Sequence, residues 1–208
     1  VKVGFLHVGP DTRLASIMAR SCLDHGYELI QMTDADSAAI DGCRVVRLPW
    51  NHTRLMTYRL RHLAELGEPE LTVLDTDTVV LRDISDIWGA EFDLALTKRG
   101  ATISKTTGVD VAKDMPYNIG VMFVRDPKVW EYAHQFCASL SDKLQTWWGD
   151  QLAMAAAANE FKTLELPCSE WNYTPRSAED VPDVRVLHYK GPRKRWMIDK
   201  WQSVPTAG

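Results

Sequence analysis

Asp75 and Asp77, in the stretch Leu71 to Val80 (LTVLDTDTVV), are the residues of this chain whose type and spacing most directly suggest chemistry. Four largely apolar residues lead into Asp75-Thr76-Asp77 and a β-branched pair follows, so the stretch reads as a buried strand carrying two acids at its end. Alternation with period two turns both carboxylates to one side. Side by side they repel each other and are costly to bury, and a hard divalent cation such as Mg²⁺ or Mn²⁺ relieves both problems. An isolated D-x-D fits equally well a strand whose acids open a solvated turn.

Further residues add to that chemistry. In Val184 to Trp196 (VRVLHYKGPRKRW) a short strand ends at His188, and Gly191 lets the chain fold back toward it. Lys194, in the basic cluster with Lys190, Arg193 and Arg195, then comes within reach of whatever His188 touches. A neutral imidazole beside two carboxylates suits Mn²⁺, and an ammonium nearby suits a phosphate. A lone histidine at a strand end is also a common structural residue. Arg59 lies on the apolar stripe of a helix, between Met56 and Leu63, where a guanidinium needs an anion. It either snorkels to the surface or meets Asp75, Asp77 or a bound diphosphate. Asp150 precedes an alanine-rich helix and reads either as its N-cap or as a site acid.

The elements that must hold these groups follow an α/β order. Strands are expected at Lys2 to Val8, Glu28 to Met32, Arg44 to Leu48, Phe92 to Leu96 and Asn118 to Val124, besides the one at Leu71. Helices are expected from Leu14 to Cys22, ended by Gly26, and from Thr53 to Leu66, ended by Gly67. A further helix follows Asp126-Pro127 and runs through Leu144, and the last spans Leu152 to Asn159. Strand, helix, strand at this spacing gives an α/β domain with a largely parallel sheet, in which ligands collect at the carboxyl ends of the strands. Here those ends are His7 to Thr12 and Thr33 to Ser37. The first turn lacks G-x-G-x-x-G, which argues against a dinucleotide but leaves room for a mononucleotide. Gly100 to Pro116 has little periodicity and reads as a long functional loop or lid.

Composition sets the limits. A chain of 208 residues, 45% hydrophobic, suits one compact domain over residues 1–208. A net charge of -4 and a pI near 5.9 argue against an extended basic face for nucleic acid. Four scattered cysteines without C-x-x-C read as ordinary thiols of a reducing compartment, which places the chain in the cytoplasm. No signal peptide and no apolar run of about 18 residues is visible. Membrane contact through Trp196, Ile198 and Trp201 among Lys and Arg would be peripheral at most.

Taken together, Asp75-Thr76-Asp77, the NIGVMF stretch from Asn118, the step Gly149-Asp150-Gln151 and His188-x-x-Gly191-x-x-Lys194-x-Trp196 occur in an order that resembles glycosyltransferase family 8. That family includes bacterial lipopolysaccharide galactosyl- and glucosyltransferases and glycogenin. The resemblance runs from the first strand to Trp196. It implies the GT-A fold, a Rossmann-like single domain with a mixed, mostly parallel central sheet, and a retaining, metal-dependent transfer of a hexose from a UDP-sugar. The acceptor would be a carbohydrate, a lipid-linked molecule or a protein. It further implies that Asp75, Asp77 and His188 hold Mn²⁺ (or Mg²⁺), with Thr76 between the acids. Gly191 and Lys194 would bind the diphosphate, and Arg59 would contact the sugar or brace the acids. Asn118, Asp150 and Gln151 would line the sugar, where Gln151 or Asn118 could stabilise positive charge by a carbonyl dipole and Asp150 by charge or by orienting hydroxyls. His7, Asp11, Thr33 and Asp34 would face the uridine. Trp147, Trp148 and Trp196 are candidates for stacking on sugars.

Some features depart from that pattern. The chain is shorter than typical members, and Arg195 stands where the family usually has a proline. The sugar-binding aspartate carried after D-x-D has no clear equivalent, with Asp93, Asp110 and Asp114 as candidates. Two alternatives remain: D-T-D-T-V also resembles the first motif of haloacid-dehalogenase-like phosphatases, with Asp75 as nucleophile, and a non-catalytic nucleotide-sugar-binding module would keep the same pocket.

Overall fold

The computed structural model describes residues 1–100, 110–113 and 115–202. The expected lid therefore lies mostly outside the described residues. In chain order the elements are β1 (Lys2–Leu6), α1 (Arg13–Leu23), β2 (Glu28–Thr33), β3 (Cys43–Arg47), α2 (Leu55–Leu66), β4 (Leu71–Leu74), β5 (Thr78–Val80), β6 (Leu94–Lys98), β7 (Tyr117–Val124), α3 (Lys128–Ser139), α4 (Asp142–Thr146), α5 (Gly149–Glu160), β8 (Thr163–Pro167), α6 (Cys168–Trp171), β9 (Val186–His188) and α7 (Lys194–Trp201). The main sheet has the order β3-β2-β1-β4-β7-β6-β8. Only β7 runs against its neighbours, so the sheet is mixed and mostly parallel, as expected.

Both faces of this sheet are covered, which explains its near-continuous apolar strands. In β7, Val121 and Phe123 face α1 and the small sheet, whereas Met122 and Val124 face α2, α3 and α5. In β6, Ala95 takes the first side, Leu94 and Leu96 the second. Period-two alternation thus feeds two cores from one strand. Each fully buried Leu, Ile or Met contributes about 1.5–3 kcal/mol. Leu60 and Leu63 seal the helical side from α2, at 1% and 0% exposure.

One expectation is corrected. Leu71 to Val80 is not a single strand: β4 ends at Leu74, Asp75 to Asp77 form a turn, and β5 pairs with β9 in a separate two-stranded sheet. Asp75 leaves β4 by donating its N–H to Gly120 O (2.9 Å), and Thr78 N–H closes the turn on Asp75 O (3.2 Å). The acids converge through a turn rather than through strand alternation. Apolar residues flank them on both sides because both sheets are buried.

Smaller differences concern helix ends. α2 is preceded by a short 3₁₀ turn, His52–Arg54, so the expected start at Thr53 falls in tighter helix. The helix expected through Leu144 is broken at Leu140 into α3 and α4. Trp196, Ile198 and Trp201 pack partly buried against the core, and Trp201 Nε1 donates to Tyr189 OH (3.0 Å). Part of their apolar surface is therefore used by the fold. No helix among the described residues is long and apolar enough to cross a membrane.

Candidate functional site

The ends of β4, β7 and β9 converge on a cavity of about 460 Å³. Its wall includes Arg59, Asp75, Thr76, Asp77, Asn118, Asp150, Gln151, His188, Gly191 and Lys194. Residues from five separate stretches of sequence meet there. Each arrives for a local reason.

His188 is brought to the acids by strand pairing. In the β5–β9 sheet Thr78 lies opposite His188, and Tyr189 N–H donates to Asp77 O (2.8 Å). His188 Nε2 consequently lies 3.1 Å from Asp77 Oδ1 and 3.8 Å from Asp75 Oδ2. One ligand-type atom from each of the three residues falls within 4.8 Å of the others. Asn172, which follows α6, sets the imidazole's tautomer. Its Nδ2 donates to Thr97 Oγ1 (2.7 Å) and Asn118 O (2.9 Å), so its Oδ1 is left to accept from His188 Nδ1 (2.8 Å). With its proton on Nδ1 so held, the ring keeps Nε2 facing the carboxylates: as an N–H it donates to Asp77, and as a lone pair it could bind a cation placed between them. Three electron-pair donors facing one point suit a divalent cation, and a hydrogen-bond acceptor on the far ring nitrogen is the usual support for a metal-binding histidine.

Gly120 gives the imidazole its space. β7 leaves its register with β6 between Leu96 and Thr97, so that Thr97 pairs with Asn118, and Gly120 turns toward His188. A Cβ there would lie 2.1 Å from His188 Cε1 and 2.4 Å from Nδ1. Bulges of this kind re-aim side chains beside binding sites.

The acids differ in environment. Burial works to raise Asp77, but the His188 hydrogen bond and the charges of His188 and Lys194 outweigh it and hold the carboxyl at about 2. Lys194 Nζ lies 3.3 Å from Asp77 Oδ2. Asp150 is pushed upward by burial, and although Arg59 works against this, the neighbouring charge of Asp75 adds to it. Arg59 donates to Asp75 Oδ1 (2.8 Å) and Asp150 Oδ2 (3.1 Å). Desolvation opposes its charge, yet the two acids raise its pKa. The guanidinium on the α2 stripe therefore meets its anions inside the protein and does not snorkel. Asp150 is not the N-cap of α5, a position taken by Trp148; it lies in the first turn, accepting from Gln151 N–H (2.9 Å), with its carboxylate in the cavity wall.

Trp147 and Trp148 also line the cavity, 62% and 47% exposed, and Trp148 has a left-handed φ of 73°. That conformation is uncommon for a bulky residue and clusters at functional sites. Trp196 does not line the cavity.

The residues expected around uridine lie elsewhere. His7, Asp11, Thr33 and Asp34 stand at or just beyond the ends of β1 and β2 but are not in the wall of this cavity. Asp11 is exposed and bonded to Arg13, and Asp34 Oδ1 accepts from Ser37 N–H (2.8 Å). His7 Nε2 and Thr33 Oγ1 are buried without a hydrogen-bond partner among the described residues. Burial lowers the pKa of His7.

Of the three candidates for a sugar-binding aspartate, Asp93 lies at the opposite end of β6, capping Lys162 N–H (2.9 Å). Asp110 does not line the cavity, and Asp114 lies outside the described residues. Arg99, just past the end of β6, occupies the wall instead, together with Lys190. The sequence by itself gives neither a role: Arg99 follows Lys98 and looks like half of a solvated basic pair, and Lys190 is one of a basic cluster. Asn172 carried no spacing signal at all.

No protein-family model matches the chain, and no curated protein matches it significantly. Solved structures do. The chain is similar to the glycosyltransferase GlyE of Streptococcus pneumoniae TIGR4, at a TM-score of 0.65 and 16% identity, over 100% of this chain and 65% of that one. It is similar to the galactosyltransferase LgtC, solved in complex with donor and acceptor sugar analogues, at 0.62 and 15%, over 99% and 98%. A glycosyltransferase involved in glycosylation of the major capsid of PBCV-1 follows at 0.58 and 13%, over 94% and 96%. The chain thus spans 65% of the length of GlyE. Its architecture is the GT-A fold of glycosyltransferases.

Proposed function

We propose that this protein is a metal-dependent glycosyltransferase of family 8 type that moves a hexosyl unit from UDP to a carbohydrate, lipid-linked or protein acceptor. The observation that carries this is the convergence of Asp75, Asp77 and His188 Nε2 on one point beside Lys194, in a GT-A fold. A divalent cation of the Mn²⁺ or Mg²⁺ kind, held by those three residues, would neutralise charge on the departing diphosphate. Lys194 supplies an ammonium for the same oxygens, and Gly191, with φ at 61°, opens backbone beside it. Arg59 holds Asp75 and Asp150 in place, and Asn118, Asp150 and Gln151 present carbonyl and carboxylate oxygens to a sugar ring. Trp147 and Trp148 offer exposed aromatic faces for a sugar at the rim.

The haloacid-dehalogenase alternative is less well supported, since one oxygen of Asp75 is committed to Arg59 and the other faces His188. Calorimetric titration with UDP in Mn²⁺ and in EDTA separates the two. UDP is expected to bind only with Mn²⁺, and Asp77→Ala is expected to abolish that binding while leaving the fold intact. Unchanged UDP affinity in the variant would remove the metal assignment, and Mg²⁺-dependent hydrolysis of phosphate esters without UDP binding would favour the phosphatase. A non-catalytic module would bind UDP-sugar yet release no UDP over hours with any acceptor.

Asn172 provides a subtler check. Asn172→Ala removes the acceptor for His188 Nδ1–H and frees the ring to rotate or change tautomer. Mn²⁺ affinity, measured by electron paramagnetic resonance of the free ion, is expected to fall about 10–100-fold. An unaltered affinity would show that His188 needs no such orientation.

A further inference from the structure

The charged groups of the cavity are unevenly paired. Asp75 and Asp150 share Arg59, and Asp77 has Lys194 and His188. Among the described residues Arg99 meets only neutral acceptors: its Nε donates to Tyr117 O (3.0 Å) and Nη2 to Gln151 Oε1. Its Nη1 has no hydrogen-bond partner among the described residues. Lys190, half-buried in the same wall and close enough to feel the charge of Arg99, likewise forms no ion pair among the described residues. Elsewhere the chain supplies carboxylates even to exposed arginines, among them Arg13, Arg44, Arg54 and Arg61. Among the described residues Arg20, Arg47 and Arg193 also bond carbonyls alone, but none of them lines the cavity.

A half-buried guanidinium that faces a ligand cavity with no carboxylate paired to it among the described residues is a site for an anion. The diphosphate does not account for it, because Lys194 and the Asp75–Asp77–His188 cluster already serve that group. Gln151, a candidate sugar contact, is the residue bonded to Arg99, which places the guanidinium at the sugar end of the cavity.

We propose that Arg99, assisted by Lys190, binds the carboxylate of an acidic sugar, so that one of the two glycosyl units handled here is a uronic acid or a similar carboxylate-bearing ring. This rests on the glycosyl-transfer function proposed above. The carboxylate belongs either to the donor sugar or to the acceptor, and the chemistry at Arg99 is the same in both cases.

The test uses the whole chain with Mn²⁺. UDP is titrated first, because its binding reports on the transferase function independently of any sugar. In a donor arm, UDP-glucose is compared with UDP-glucuronate and UDP-galactose with UDP-galacturonate. In an acceptor arm, the UDP-loaded protein is titrated with methyl glucoside or galactoside and with the matching methyl uronides. A charged hydrogen bond at Arg99 is expected to favour the uronate over its neutral counterpart by about tenfold or more in one arm. Arg99→Gln is expected to erase that preference and Lys190→Gln to reduce it, with cooperative thermal unfolding showing that each variant is folded. UDP binding without a uronate preference in either arm overturns the proposal alone, as does a preference that survives in Arg99→Gln. Failure of UDP to bind with Mn²⁺ overturns the transferase function and this proposal with it.

Discussion

Arg59→Met is expected to destabilise the protein by about 3–5 kcal/mol, the cost of breaking a buried ion pair from one side. The side chains of Arg59 and Asp150 are only 9% and 4% exposed, so water cannot replace the guanidinium at the Asp150 carboxylate. What remains there is one hydrogen bond from Gln151 N–H. Asp75 suffers less, being 32% exposed. For a chain of this size the loss corresponds to a fall in Tm on the order of 10 °C. Arg59→Met combined with Asp150→Leu should recover much of the stability, since removing both charges is far cheaper than stranding one. A urea-denaturation series on wild type, single and double variants measures this. A single-variant loss below about 1 kcal/mol would mean that Asp150 is hydrated, as ordinary surface pairs are.

Gly120→Ala should have the largest effect on binding. Its Cβ would sit 2.1 Å from His188 Cε1, and His188 cannot step aside. The ring is held by the β5–β9 pairing and by Asn172, and the residue is 3% exposed. Overpacking of this kind costs about 1–3 kcal/mol in stability. Its functional cost is greater, because the displaced atom would be a proposed ligand. Mn²⁺-dependent UDP affinity is expected to fall by more than about 100-fold, past the range expected when a ligand only loses its supporting hydrogen bond. Gly89→Ala is the matched control, since a Cβ there meets nothing within 4 Å. Equal UDP affinity in the two variants would show that His188 is not part of the binding site.

Helix and strand order was readable because both depend on local periodicity. The apolar spacing of Leu60 and Leu63 in α2 and the Gly67 stop depend on neighbours a few residues away, and the alternation of strand and helix that results is what points to a mostly parallel sheet. Arg59 was informative for the same reason, since a charge on an apolar stripe demands an anion wherever the helix packs. The Asp75–Asp77 turn reads as strand from sequence alone. Two buried sheets flank it, and an apolar pattern records burial without recording in which sheet. Asp150 was ambiguous because a cap and a buried site acid occupy nearly the same place at a helix start.

The chain's local pattern therefore specifies an α/β domain and supplies two acids, a histidine, a lysine and a buried arginine in an order that resembles a sugar-transferring family. Tertiary packing decides which of them meet. Strand pairing between β5 and β9 carries His188 to Asp77, the bulge at Gly120 clears its space, and Asn172 turns its lone pair inward. Packing of α2 against α5 gives Arg59 its second acid. It also leaves Arg99 facing the cavity without a carboxylate among the described residues, which Lys98 and Arg99 side by side in sequence do not disclose. The physical reason is range: periodicity reports burial over a few residues, whereas charge pairing and close approach depend on residues that only the folded sheet brings together.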